Sequence, residues 1–170
     1  MNNLTFKTLI ILSLLVFTGC EEEPVKTVEP VLGELTAYSD CLNTKSISNT
    51  YNAASNFSCV YYQLENGKLK INHLNAGFNC CTEGITADLT IDGDTIHISE
   101  AENNALCNCN CLYNLEIELH NIGFGIYRLV FHEPYADPNQ MAQLDFIINT
   151  SDSLTGEICV ERNMYPWGLL

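Results

Sequence analysis

The residues best placed to do chemistry in this 170-residue chain are its cysteines, nine in all. Three of them alternate with asparagine in Cys107-Asn108-Cys109-Asn110-Cys111. On an extended strand such alternate side chains share one face, about 6.5 Å apart along the chain. They then run parallel, which makes bonding among themselves awkward, so each thiol should find its partner on a neighbouring segment. Adjacent Cys80 and Cys81 are natural candidates, although on a strand they would point to opposite faces and could not both meet one row of sulfurs. Cys41, Cys59 and Cys159 supply the remainder. Cys20 is set apart by its position near the N-terminus. The other eight, an even number, read as a disulfide framework with roughly a hundred connectivities open to it.

The alternative chemistry for the same sulfurs is soft-metal ligation. Thiolates of Cys107, Cys109 and Cys111, helped by Cys80 or Cys81 and by His73, would suit Zn or Cu(I). No CxxC knuckle occurs to aim two sulfurs at one point. An oxidising compartment favours disulfides over thiolates. The thioredoxin-like CxxC of a redox catalyst is missing for the same reason.

Other reactive residues carry weaker patterns. His97, His120 and His132 fall on the polar faces of predicted strands and read as surface histidines. His73 falls beside Ile71 on an apolar face, where a satisfied core residue is expected rather than a ligand. Asp92-Gly93-Asp94 lacks the oxygen-ligand spacing of a calcium loop, and a hairpin turn accounts for it. No GxSxG, HExxH or P-loop pattern is present. Trp167, the sole tryptophan, is expected to pin the last strand down rather than to serve as a binding platform. No cofactor and no enzymatic activity are therefore expected.

The elements that must position these residues are strands. Apolar and polar residues alternate from about residue 58, the mark of half-buried strands. Segments 58–65 and 68–74 flank Asn66-Gly67, a two-residue hairpin signal. That register sets Leu64 opposite Leu69, Tyr62 opposite Ile71 and Val60 opposite His73, with 75–79 read as loop. A second hairpin joins 85–91 to 95–98, with Leu89 and Ile91 on the face of Ile96 and Ile98. A third is expected between Leu115, Ile117 and Leu119 and the answering row Tyr127, Leu129 and Phe131. Two further strands are predicted at 142–148 and 155–162, and 37–57 reads as loop with one short element. Seven or eight such strands predict an all-β, antiparallel, Ig-like β-sandwich stabilised by disulfides, a single domain over 37–170.

The N-terminus carries a different signal. Leu9 to Phe17 form an apolar run too short to span a bilayer and of the length of a signal-peptide core. Phe17-Thr18-Gly19-Cys20 resembles a lipobox, with Phe17 where Leu or Val is usual. The resemblance implies a signal peptide over 1–19 and lipid on Cys20, and residues 20–36 then read as an acidic, Pro-containing linker. Removing 1–19 leaves 6 Lys+Arg against 21 Asp+Glu, a net charge of −15 that argues against nucleic-acid partners.

Glu21-Glu22-Glu23 resembles the surface-export signal of Bacteroidetes lipoproteins. The segments 73–81, 107–115, 159–162 and Tyr165-Pro166-Trp167-Gly168 resemble a group of uncharacterised cysteine-rich lipoproteins from the same phylum. That likeness implies lipid anchorage in the cell envelope, at the outer membrane, and brings no activity with it. Asp94-Thr95-Ile96 and Asp152-Ser153-Leu154 resemble that phylum's O-glycosylation pattern, which implies glycans on Thr95 and Ser153. The expectation for function is a membrane-anchored, non-enzymatic binding module with a protein or glycan partner. Metal binding through the cysteine cluster is the alternative.

Overall fold

A computed structural model describes residues 30–42 and 53–168; the expected signal peptide, Cys20 and the acidic run lie outside the described residues. The chain forms the expected all-β sandwich of two packed sheets. Its nine described strands are β1 (Leu32–Tyr38), β2 (Phe57–Glu65), β3 (Lys68–Asn79), β4 (Thr82–Asp92), β5 (Thr95–Ala105), β6 (Asn110–His120), β7 (Ile126–His132), β8 (Asp145–Asn149) and β9 (Thr155–Glu161). One sheet has the order β1-β6-β3-β2-β9 and the other β4-β5-β7-β8.

The first two hairpins form in the predicted register. Leu64 pairs with Leu69, Tyr62 with Ile71 and Val60 with His73. Leu89 pairs with Ile98, and Ile91 with Ile96. Asn66 and Gly67 both take positive φ, the conformation a tight turn between twisted strands requires.

Three expectations are corrected. The third hairpin does not exist: β6 belongs to the five-stranded sheet, whereas β7 lies in the other and pairs in parallel with β5. The sandwich is therefore not wholly antiparallel. The two apolar rows do meet, but face to face across the core, because alternation reports which side is buried and not which neighbour is hydrogen-bonded. Residues 75–79, read as loop, continue β3 past a register shift between His73 and Ala76. Asn75 takes φ 60° there, and beyond it Ala76 and Phe78 face the core. Finally, β1 begins at Leu32, inside the stretch read as linker, and pairs with β6 along the sheet edge.

The core splits into two zones. Around the 66–67 hairpin end it is apolar, built from Val60, Leu69, Ile71, Ile96, Ile98, Ile117, Leu119, Leu129 and Phe131, each 2 % exposed or less. Towards the other end it thins to Ala76, Phe78, Ile85, Tyr113 and Leu115.

Disulfides staple that second end. Cys80 pairs with Cys109 and Cys81 with Cys107, at Cα separations of 5.6 and 5.4 Å. The parity objection fails because Cys80 and Cys81 occupy the β3–β4 turn, and only Cys111 of the alternating trio lies on a strand. Cys41 bonds Cys111, and Cys59 bonds its register partner Cys159 across β2 and β9. Every sulfur of the alternative metal set (Cys80, Cys81, Cys107, Cys109 and Cys111) is thus in a disulfide and unavailable as a thiolate.

Candidate functional site

Five apolar core-facing runs are succeeded by a polar residue, all towards the same end of the sandwich. The rows run Leu64-Tyr62-Val60-Ser58 on β2, Leu69-Ile71-His73 on β3, and Ile96-Ile98-Glu100 on β5. Leu129-Phe131-Glu133 leaves β7 and Ile158-Val160-Arg162 leaves β9. Because strand side chains alternate, each polar group is carried inward by the same parity that buries its apolar neighbours. Ser58 and His73 have no exposed surface, Arg162 keeps 2 %, Glu100 5 % and Glu133 9 %.

Their contacts form one network. Ser58 Oγ lies 2.8 Å from His73 Nε2, and His73 Nδ1 lies 2.6 Å from Glu100 Oε1. Glu133 Oε1 approaches His73 Nε2 at 3.7 Å, and its other oxygen accepts a hydrogen bond from Arg162 Nη2. Arg162 Nη1 donates to the Ala142 carbonyl, and the guanidinium lies 5.0 Å from the Trp167 ring centre. Trp167 in turn donates from Nε1 to the Asn75 carbonyl at 2.8 Å, and a Cβ on Gly77 would come within 2.9 Å of its ring. The tryptophan is 3 % exposed, which makes it the structural pin expected of it.

Electrostatics favour the protonated form of the histidine. Burial by itself would lower the His73 pKa, but the charge and hydrogen bond of Glu100, then the charge of Glu133, outweigh it and raise the value above 6.5. Burial pushes Glu133 up, while His73 and Arg162 pull it back. An imidazolium at His73 would be flanked by Glu100 and Glu133, with Arg162 on the far side of Glu133. In that form both ring nitrogens would carry protons, and Nε2 would donate to Ser58 Oγ.

The geometry matches a Ser–His–acid triad in its distances, and the upward shift of His73 works against one. A general base must start unprotonated. The Ser58 hydroxyl is also sealed from solvent. As a metal group, His73, Glu100 and Glu133 place donor atoms within 4.8 Å of one another. Arg162 already supplies the cation there, and each His73 nitrogen is engaged. The other such group, Cys59, Glu157 and Cys159, has its sulfurs in a disulfide.

A second polar layer lies next to the disulfides. Asn79 accepts backbone N–H bonds from Cys81 and Cys107 and donates to the Cys107 carbonyl, so one side chain ties both cysteine-bearing segments together. Glu102 accepts from the Asn79 N–H and the Tyr135 hydroxyl; the latter bond, with burial, pushes the phenol up to about 12.

Of the residues singled out by sequence, His73 is central, as a satisfied core residue. Thr95 opens β5 half-buried, and exposed Ser153 donates from Oγ to the Thr155 carbonyl at 2.6 Å. Sequence reasoning missed Ser58, Glu100, Glu133 and Arg162. The available signal was their parity: a polar residue two places beyond an apolar row. No protein family, curated protein or solved structure matches this chain.

Proposed function

We propose that this chain is an exported, lipid-anchored envelope protein at the outer membrane, whose sandwich binds a protein or glycan partner and is not an enzyme. The observation that carries the reading is that all eight cysteines after Cys20 pair with one another, a product of an oxidising compartment. The attachment of the predicted tether adds support. Pro30 is hydrogen-bonded through its carbonyl to Asn121, on the loop that carries Phe124. Leu32, Phe124, Ile126 and Leu154, spread over that end of the sandwich, are 61, 74, 59 and 48 % exposed. A face of this kind suits apposition to a lipid surface.

A surface that suits a polar partner is a groove of about 390 Å³ across β3, β2 and β9, where Tyr61, Gln63, Asn72 and Glu157 combine aromatic and hydrogen-bonding groups. Two measurements test the proposal. Cys20→Ala should move the protein from the membrane fraction to the soluble one; unchanged membrane retention overturns the anchor. Wild-type protein and Ser58→Ala should both be inert towards ester, amide and glycoside panels; turnover lost on Ser58→Ala would make the buried triad catalytic.

A further inference from the structure

The outer face of the four-stranded sheet carries a histidine pair that the buried network does not use. His97 on β5 and His132 on β7 are diagonal neighbours, since the parallel register sets His97 beside Val130 and Ser99 beside His132. His97 Nδ1 lies 3.2 Å from His132 Nε2. The ring centres are 5.5 Å apart and the planes 13° from parallel. Those values together mean that the two nitrogens lie on the line between the ring centres and face each other edge to edge. One imidazole donates an N–H and the other accepts it.

That spacing is also the bite of a chelate. Imidazole nitrogens bound to one tetrahedral ion at about 2.0–2.1 Å stand about 3.3 Å apart. A small rotation of each ring turns both lone pairs from each other towards a common point above the sheet. We propose that His97 and His132 form a surface chelate for one borderline divalent transition-metal ion of the Cu²⁺, Ni²⁺ and Zn²⁺ class.

The surroundings favour a cation. Across β4 the face presents Asp88 and Thr90, opposite Ser99 and His97 respectively. On β5 it presents Thr95 and Ser99, and on β7 Arg128 and Val130. On β8 Asp145 lies opposite Val130, in the same row as His97. Arg128, the one cation of this face, is matched by Asp145 through two hydrogen bonds at 2.7 and 2.6 Å. With both Asp145 oxygens engaged by Arg128, water completes the coordination, and the chain's net charge of −14 raises the local concentration of cations. Imidazole donors select for metals on the Cu²⁺ side of the affinity order and against Mg²⁺ or Ca²⁺. Metal and proton compete for the same imidazole lone pairs.

The test uses untagged full-length protein titrated calorimetrically with CuCl₂, NiCl₂ and ZnCl₂ at pH 7.5 and at pH 5.5. One ion per chain is expected at pH 7.5, Cu²⁺ tightest, with binding largely lost at pH 5.5. His97→Asn and His132→Asn should each weaken it at least about tenfold, whereas His120→Asn should not change it. Both histidines are on the surface, so their variants should keep the parent circular dichroism spectrum. Absence of binding up to millimolar metal overturns the proposal. Binding that survives in the folded double variant overturns it too, by moving the ion to another site.

Discussion

The hairpin end of the sandwich and its cysteine end fill the same gap between two sheets with opposite chemistry. Around Leu69, Ile96 and Leu119 the filling is mostly aliphatic and carries no charge. Around His73, Glu133 and Arg162 it is ionic, and Glu100 Oε2, Glu133 Oε1 and Arg162 Nε make no hydrogen bond among the described residues. The first kind of core stabilises through apolar area removed from water. The second holds together only while its charges balance, because desolvating them costs several kcal/mol per ion. Three of the four disulfides lie at the cysteine end, and they limit how far the unfolded chain can separate these segments. The lesson is that covalent links and a tryptophan pin stand where hydrophobic packing is thinnest.

Three experiments separate the two ends, and the largest effect belongs to the ionic one. Arg162→Ala leaves Glu133 buried beside Glu100 with only His73 to offset both, and should cost about 3–5 kcal/mol in urea unfolding of the oxidised protein. The double variant Glu133→Leu, Arg162→Met keeps the His73–Glu100 pair and should return to within about 1 kcal/mol of the parent, or exceed it. A double variant as unstable as the single one would show that the network is not electrostatically separable.

Leu119→Ala, in the apolar zone, should cost about 2–5 kcal/mol by leaving a cavity. Unlike the ionic loss, it should be insensitive to pH. A cost below about 1 kcal/mol would mean that the facing strands collapse into the gap.

The smallest effect sharpens the contrast through pH. His73 has a folded pKa raised above 6.5, so the stability it adds is complete below 6.5 and fades as pH rises through the folded value. Glu133, also raised, adds a slope of the same sign, with stability falling as pH climbs above 4.5. Unfolding free energy should therefore decline above pH 6.5 by up to about 1.4 kcal/mol per pH unit for His73. His73→Gln should remove that decline. An unchanged slope in the variant would assign the effect to another group.

How far the fold was legible follows from what alternation can report. Val60, Tyr62 and Leu64 answering Ile71 and Leu69 across Asn66-Gly67 determine both a turn and a register, and both formed. Leu115-Ile117-Leu119 and Leu129-Phe131 determine a buried side but not a sheet, so the expected third hairpin became two strands in opposite layers. Asn75 conceals a bulge, since no rule of composition sets where a strand gains a residue. The charged site was half legible. His73 stood out, yet Glu100, Glu133 and Arg162 lie 27, 60 and 89 positions further along the chain, and nothing local says that they converge.

By itself the sequence determined the all-β class, the buried face of most strands, two hairpin registers and the parity that carries a polar residue inward at each strand end. Those properties are local: they follow from side-chain alternation and turn chemistry within a few residues. Tertiary structure alone decided the partners of the cysteines, the parallel β5–β7 pairing and the meeting of Ser58, His73, Glu100, Glu133 and Arg162 in one cluster. Each of these depends on distances between segments far apart in the chain, which only the packing of one sheet on the other sets.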